Sequence, residues 1–81
     1  MNNGDLVLVL PGAPIEPYST IPSDYDCYLE CIGKVFEVDF MSGVSSDWKM
    51  RHLKLKDQIK HPDGDRTVLV PTNYLQVVFT I

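Results

Sequence analysis

The chain has 81 residues, 44% hydrophobic and 22% charged, with 11 acidic against 7 basic side chains and a formal charge of −4. That length supports one small domain with one modest core, and the composition excludes wholesale disorder. No apolar run reaches the roughly 20 residues of a membrane-spanning helix, and the short run Leu6–Leu10 follows Asp5 rather than a basic segment, so no signal peptide is expected and the chain reads as cytoplasmic.

The charge is unevenly placed: residues 1–47 sum to −7 and residues 48–81 to +3. Such a division predicts a dipolar surface able to steer a charged partner. Cys27 and Cys31 do not make a disulfide framework, because residues four apart on a strand lie about 13 Å from one another. With no Cys-x-x-Cys spacing and two distant histidines, they also fall short of a metal site. They are expected to be buried thiols acting as small apolar side chains.

In chain order, Gly4-Asp5 opens a first strand, Leu6–Leu10, whose unbroken apolar run predicts burial on both faces or a strongly bent strand. Residues 11–26 hold four of the six prolines and form a long acidic loop, with Ile15, Tyr18, Ile21 and Tyr25 as apolar anchors. A loop of that length inside a small domain is expected to be an ordered, packed excursion. Cys27–Phe40 reads as a long strand: Cys27, Leu29 and Cys31 alternate before Gly33, and Phe36, Val38 and Phe40 alternate after it. The change of parity at a glycine predicts a bulge or bend. Met41–Asp47 is a turn by composition, and Trp48–Lys60 reads as a strand with one wet face. His61-Pro62-Asp63-Gly64-Asp65 is the clearest turn, Arg66–Val70 the next strand, and Leu75–Ile81 the closing one after Pro71-Thr72-Asn73-Tyr74.

These elements predict an all-β fold, a small antiparallel barrel of five to six strands in a single domain spanning 1–81. The Gly4-Asp5-led strand, the proline-rich loop, the glycine-bent strand and Val70-Pro71-Thr72-Asn73-Tyr74-Leu75 resemble a Src homology 3 (SH3)-like barrel. In that family a Pro-Ser-Asn-Tyr-type segment forms one 3₁₀ turn between the last two strands, and Pro71, Asn73 and Tyr74 match it, with Thr72 in place of serine. The family's aromatic first strand is Leu6-Val7-Leu8-Val9 here, and its tryptophan pair is reduced to Trp48. The opening strand is closer to bacterial and ribosomal SH3-like barrels, which bind RNA or pack on larger subunits.

Four functional readings follow. An aromatic groove built from Tyr18, Tyr25, Trp48, Pro71, Asn73 and Tyr74 would take an extended peptide, and Glu16, Asp24 and Asp26 would favour a basic one; equally, these rings could cap the core of a domain too small to bury them fully. The stripe Lys49, Arg51, Lys54, Lys56 and Lys60 could track the phosphates of a nucleic acid, or serve as a solvated face protecting a strand. His52 and His61 have no nucleophile motif nearby, so neither catalysis nor a cofactor is expected. The uncharged strand Leu75–Ile81 would invite pairing with a second copy if it lies at an edge, and would otherwise close against the first strand. The sequence therefore predicts a non-catalytic accessory module with a protein or peptide partner, nucleic acid as the alternative, and a homo-oligomer as a third possibility.

Overall fold

The computed structural model describes residues 1–45 and 48–80, and for residues 40–45 and 48 the backbone alone. Five strands form one antiparallel sheet: β1 Leu6–Val9, β2 Val35–Ser45, β3 Trp48–Lys54, β4 Thr67–Pro71 and β5 Leu75–Phe79. Their spatial order is β4-β3-β2-β1-β5, and among the described residues no ladder joins β4 to β5. The sheet is therefore open, where the sequence predicted a closed barrel. Among the described residues one α-helix, α1 Pro22–Cys31, packs against β4. No helix among the described residues is long and apolar enough to cross a membrane.

The helix corrects the strand expected from Cys27. Pro22 stands at its first turn, where a missing N–H costs nothing, and Asp24 faces the positive end of the helix dipole. Asp24, Cys27, Tyr28 and Cys31 are buried at i, i+3, i+4 and i+7, one helical face. Leu29, which completed the apparent alternation, points to solvent. Gly33 follows the capping residue Ile32 at φ +82°, so the glycine that suggested a strand bend instead ends the helix. The two cysteines lie one helical turn apart, about 6 Å of axial rise, and both are buried free thiols. Their shared hydrogen bond, followed by burial, holds the Cys31 thiol un-ionised.

The loop before α1 is ordered, as its prolines and apolar anchors suggested. A 3₁₀ turn spans Glu16–Tyr18, with Pro17 and Tyr18 buried. Tyr28 Oη donates to the Leu10 carbonyl and accepts the Ala13 N–H at 3.2 Å, tying both ends of the loop's first half to the helix. Ile15, expected as an anchor, is exposed instead.

β1 buries Val7 and Val9 but leaves Leu6 exposed and Leu8 half-buried, so one face of this strand meets the core. β2 runs on to Ser45, where a turn was expected from Met41. Its ladder with β3 absorbs register shifts between Val38 and Met41 and between Met41 and Val44, irregularities that strands accommodate as bulges. The remainder of that expected turn, Ser46 and Asp47, lies outside the described residues, as does Ile81 of the closing strand.

β3 stops at Lys54, short of the expected Lys60. Gln58 N–H donates to the Leu55 carbonyl at 2.9 Å across a tight turn whose two central residues, Lys56 and Asp57, have φ of 48° and 65°. That left-handed turn is one usually made by Asn or Gly, which is why the lysine-rich composition concealed it. The Asp63-Gly64 turn and the 3₁₀ turn Thr72–Tyr74 fall where the sequence placed them.

Candidate functional site

The two edges of the sheet are treated differently, and the difference organises the predicted site residues. On β4, Leu69 turns its backbone away from β3. Its N–H donates to Asp24 Oδ2 at 2.9 Å, and its carbonyl accepts Tyr18 Oη at 2.7 Å. Pro71, two residues further and so on the same side of the strand, has no N–H to present. Side chains from the first loop and α1 thus seal this edge, which an exposed strand otherwise leaves as a template for pairing.

Asp24 also anchors the β3–β4 connection. Its Oδ1 meets His61 Nε2 at 2.8 Å, while His61 Nδ1 accepts the Asp63 N–H at 3.0 Å. Nδ1 can accept only when unprotonated, so Nε2 carries the proton that is shared with Asp24. Burial opposes protonation of this imidazole, but the hydrogen bond and charge of Asp24 outweigh it and raise the pKa. Ser23 Oγ donates to Asp63 Oδ2, adding a second tie between α1 and the turn. His61, which the sequence placed in a turn, is fully buried.

Asp24, His61 and Asp65 bring three potential metal-ligand atoms within 4.8 Å of one another. Both imidazole nitrogens and both Asp24 oxygens are already engaged within the protein. Cys27 is close enough for His61 to act on it electrostatically, yet neither ring nitrogen is left to activate a thiol. The cluster therefore works as a structural staple.

The aromatic groove separates into core and surface. Tyr18 is 0% exposed and Pro71 is buried. Tyr18 packs on Tyr25 and Tyr28 with ring centroids 5.3 and 6.1 Å away. Tyr25 and Tyr74 are half-buried against the core, and Asn73 is exposed. Trp48 heads β3 opposite Ser45, and its side chain lies outside the described residues. For Tyr18 and Pro71 the core-capping alternative is the one the packing supports.

The basic stripe disperses as well. Arg51 is buried, with Nη2 donating to the Met1 carbonyl. Lys54 and Lys56 converge on Glu37 at 2.8 and 2.6 Å. Lys60 and Arg66 join them around a cleft of about 950 Å³, but Asp39, Asp57 and Asp65 line the same cleft. Lys49 is exposed on β3, apart from this cleft. The result is a mixed-charge surface rather than a continuous cationic track.

The two lysine hydrogen bonds hold the Glu37 carboxyl at a pKa of about 2, below its ordinary 4.5. The folded state thus binds this proton less readily than the unfolded chain. The fork stabilises the fold above pH 4.5, and its contribution is lost as pH falls towards about 2. In urea unfolding, the stability gap between wild type and Glu37→Gln is expected to narrow through that window. A gap independent of pH would show that the lysines contribute nothing through charge.

β5 presents the opposite case to β4. Among the described residues its one ladder partner is β1. Val77, Val78 and Phe79 are 38%, 48% and 62% exposed. A register shift after Val77 sets Phe79 across from Leu6, and Leu8 pairs with Val35 on the next strand. Exposed Leu6, Val35 and Phe79 therefore continue the apolar surface from the edge onto the outer face. The sequence identified Leu75–Ile81 as uncharged and apolar; its position at an edge required the strand order.

No family model matches the chain, and no curated protein or solved structure matches it. The fold and site define a small five-stranded antiparallel sheet protein with one helix, sealed at one edge and open at the other.

Proposed function

We propose that this chain is a non-catalytic protein-binding module that takes an extended segment by strand addition along β5. The observation that carries the reading is the contrast between edges: β4 is closed off by Tyr18, Asp24 and Pro71, whereas β5 is uncharged and bordered by exposed Val77, Val78 and Phe79. In strand addition, main-chain hydrogen bonds supply affinity and alternate side-chain contacts supply selectivity. An SH3-like ancestry is supported by the order of elements and by the 3₁₀ turn Thr72–Tyr74 between the last two strands, although the binding surface lies away from that turn.

Selection of a random-peptide display library on the folded domain tests this reading. Uncharged, β-branched peptides are expected, with binding abolished by Val77→Pro and retained by Tyr74→Ala. Enrichment of proline-rich peptides that require Tyr74 and Trp48 would move the site to the aromatic end of the 3₁₀ turn. Failure to enrich either class would overturn the module reading.

A further inference from the structure

We infer that the β5 edge takes a second copy of this chain, β5 against antiparallel β5, with Val77 on the two-fold axis. This assignment rests on the strand-addition reading and names its occupant. The hydrogen-bond alternation fixes which groups are available. Leu10 N–H donates to the Tyr74 carbonyl at 2.9 Å, whereas Val9 N–H donates to the Lys34 carbonyl at 3.0 Å. Even-numbered residues of the first strand therefore bond towards β5 and odd-numbered ones towards β2. By the same parity Gln76, opposite Leu8, is engaged with β1, while Leu75 and Val77, opposite Val9 and Val7, turn outward. The Leu75 N–H is already given to the Thr72 carbonyl. The edge thus offers the Leu75 carbonyl and both backbone groups of Val77.

Within that set the two Val77 groups are self-complementary. In an antiparallel pair, a residue on the two-fold axis faces its own copy and exchanges both N–H···O=C bonds with it. Charge favours the same occupant. β1 is Leu6-Val7-Leu8-Val9 and β5 is Leu75-Gln76-Val77-Val78-Phe79, so the four central strands of the joined sheet carry no charged side chain. Although each chain bears −4 overall, Asp5, which leads into β1, is buried, and Glu37, opposite Leu6 on β2, is held by Lys54 and Lys56. Two copies can meet here without like-charge repulsion at the seam. Area sets the strength: four or five partly exposed apolar side chains amount to a few hundred Å², below the roughly 800 Å² per partner of stable complexes. A weak dimer is expected, dissociating in the range of about 10–100 μM.

Sedimentation equilibrium of the full chain across that range tests the assignment. Wild type is expected to show a monomer–dimer equilibrium. Val77→Pro, which removes an N–H that the β1 ladder does not use, should weaken it at least about tenfold with circular dichroism preserved. Val78→Lys, a charged edge substitution, should do the same if the proline variant fails to fold. A wild type that stays monomeric up to about 1 mM, or a folded Val77→Pro that dimerises as before, would overturn the second-copy assignment. If such a monomer still binds a fluorescent peptide copy of residues 73–80 in a Val77-dependent way, the strand-addition reading stands without it. If it does not bind, and display selection enriches no Val77-dependent peptide either, both fail.

Discussion

Asp24→Ala is expected to lower the unfolding free energy by about 3–5 kcal/mol, because it leaves a buried donor and a part-buried one without acceptors at once, each costing about 1–3 kcal/mol. The donors are His61 Nε2–H and the Leu69 N–H, now held at 2.8 and 2.9 Å. A domain of 81 residues has about 4–12 kcal/mol in total, so this one substitution removes a large part of the fold's stability. Urea unfolding measures it directly, and Asp24→Asn calibrates it. The amide oxygen of asparagine can accept one donor, but its NH₂ then faces the other, so partial recovery is expected. An Asp24→Ala variant within about 1 kcal/mol of wild type would show that the α1–His61 staple contributes little.

Tyr18→Ala carries the second large effect, also about 3–5 kcal/mol, the usual range for deleting a buried aromatic ring. Tyr18 combines full burial, contact with two other tyrosine rings and a hydrogen bond to the Leu69 carbonyl. Tyr18→Phe isolates the last of these and should cost about 1 kcal/mol. Burial, followed by the neighbouring Tyr28 and Asp24, pushes the phenol pKa up, so its ring should resist ionisation in an alkaline absorbance titration. If Tyr18→Ala instead kept full stability while losing a peptide ligand, the ring would belong to a binding groove. The packing predicts the reverse: binding is lost only where the fold is lost.

The two substitutions act on one piece of architecture. Asp24 and Tyr18 come from different elements, yet both terminate on the backbone of Leu69. Removing either exposes β4 as a second open edge. Each variant is therefore expected to aggregate more readily than its stability loss alone would suggest, since unsealed edges pair.

Some elements were legible because their signals are local. Pro71 presets the backbone angle leading into the 3₁₀ turn, Asp63-Gly64 supplies a positive φ, and Leu75–Phe79 needs only its own apolar composition to read as a strand. α1 was hidden because its buried stripe begins with a carboxylate and because two cysteines and a leucine happened to alternate. Nothing within ten residues of Asp24 explains its burial; its partners are His61 and Leu69, 37 and 45 positions away. His61 looked like an ordinary turn histidine for the same reason. Arg51 and the Lys54–Lys56 pair looked like a cationic stripe until the folded chain set the Met1 carbonyl and Glu37 beside them.

The sequence by itself determined a small antiparallel β domain with an ordered proline-rich excursion, read as all-β without its helix, and it marked the last strand as uncharged and apolar. Only the tertiary structure decided whether that strand closes a barrel or ends a sheet. The outcome turns on the backbone groups of β4: once Leu69 has given its N–H to Asp24 and its carbonyl to Tyr18, and Pro71 has no N–H to give, β4 has little left to offer β5. The sheet stays open, and the apolar strand that the sequence singled out becomes its free edge.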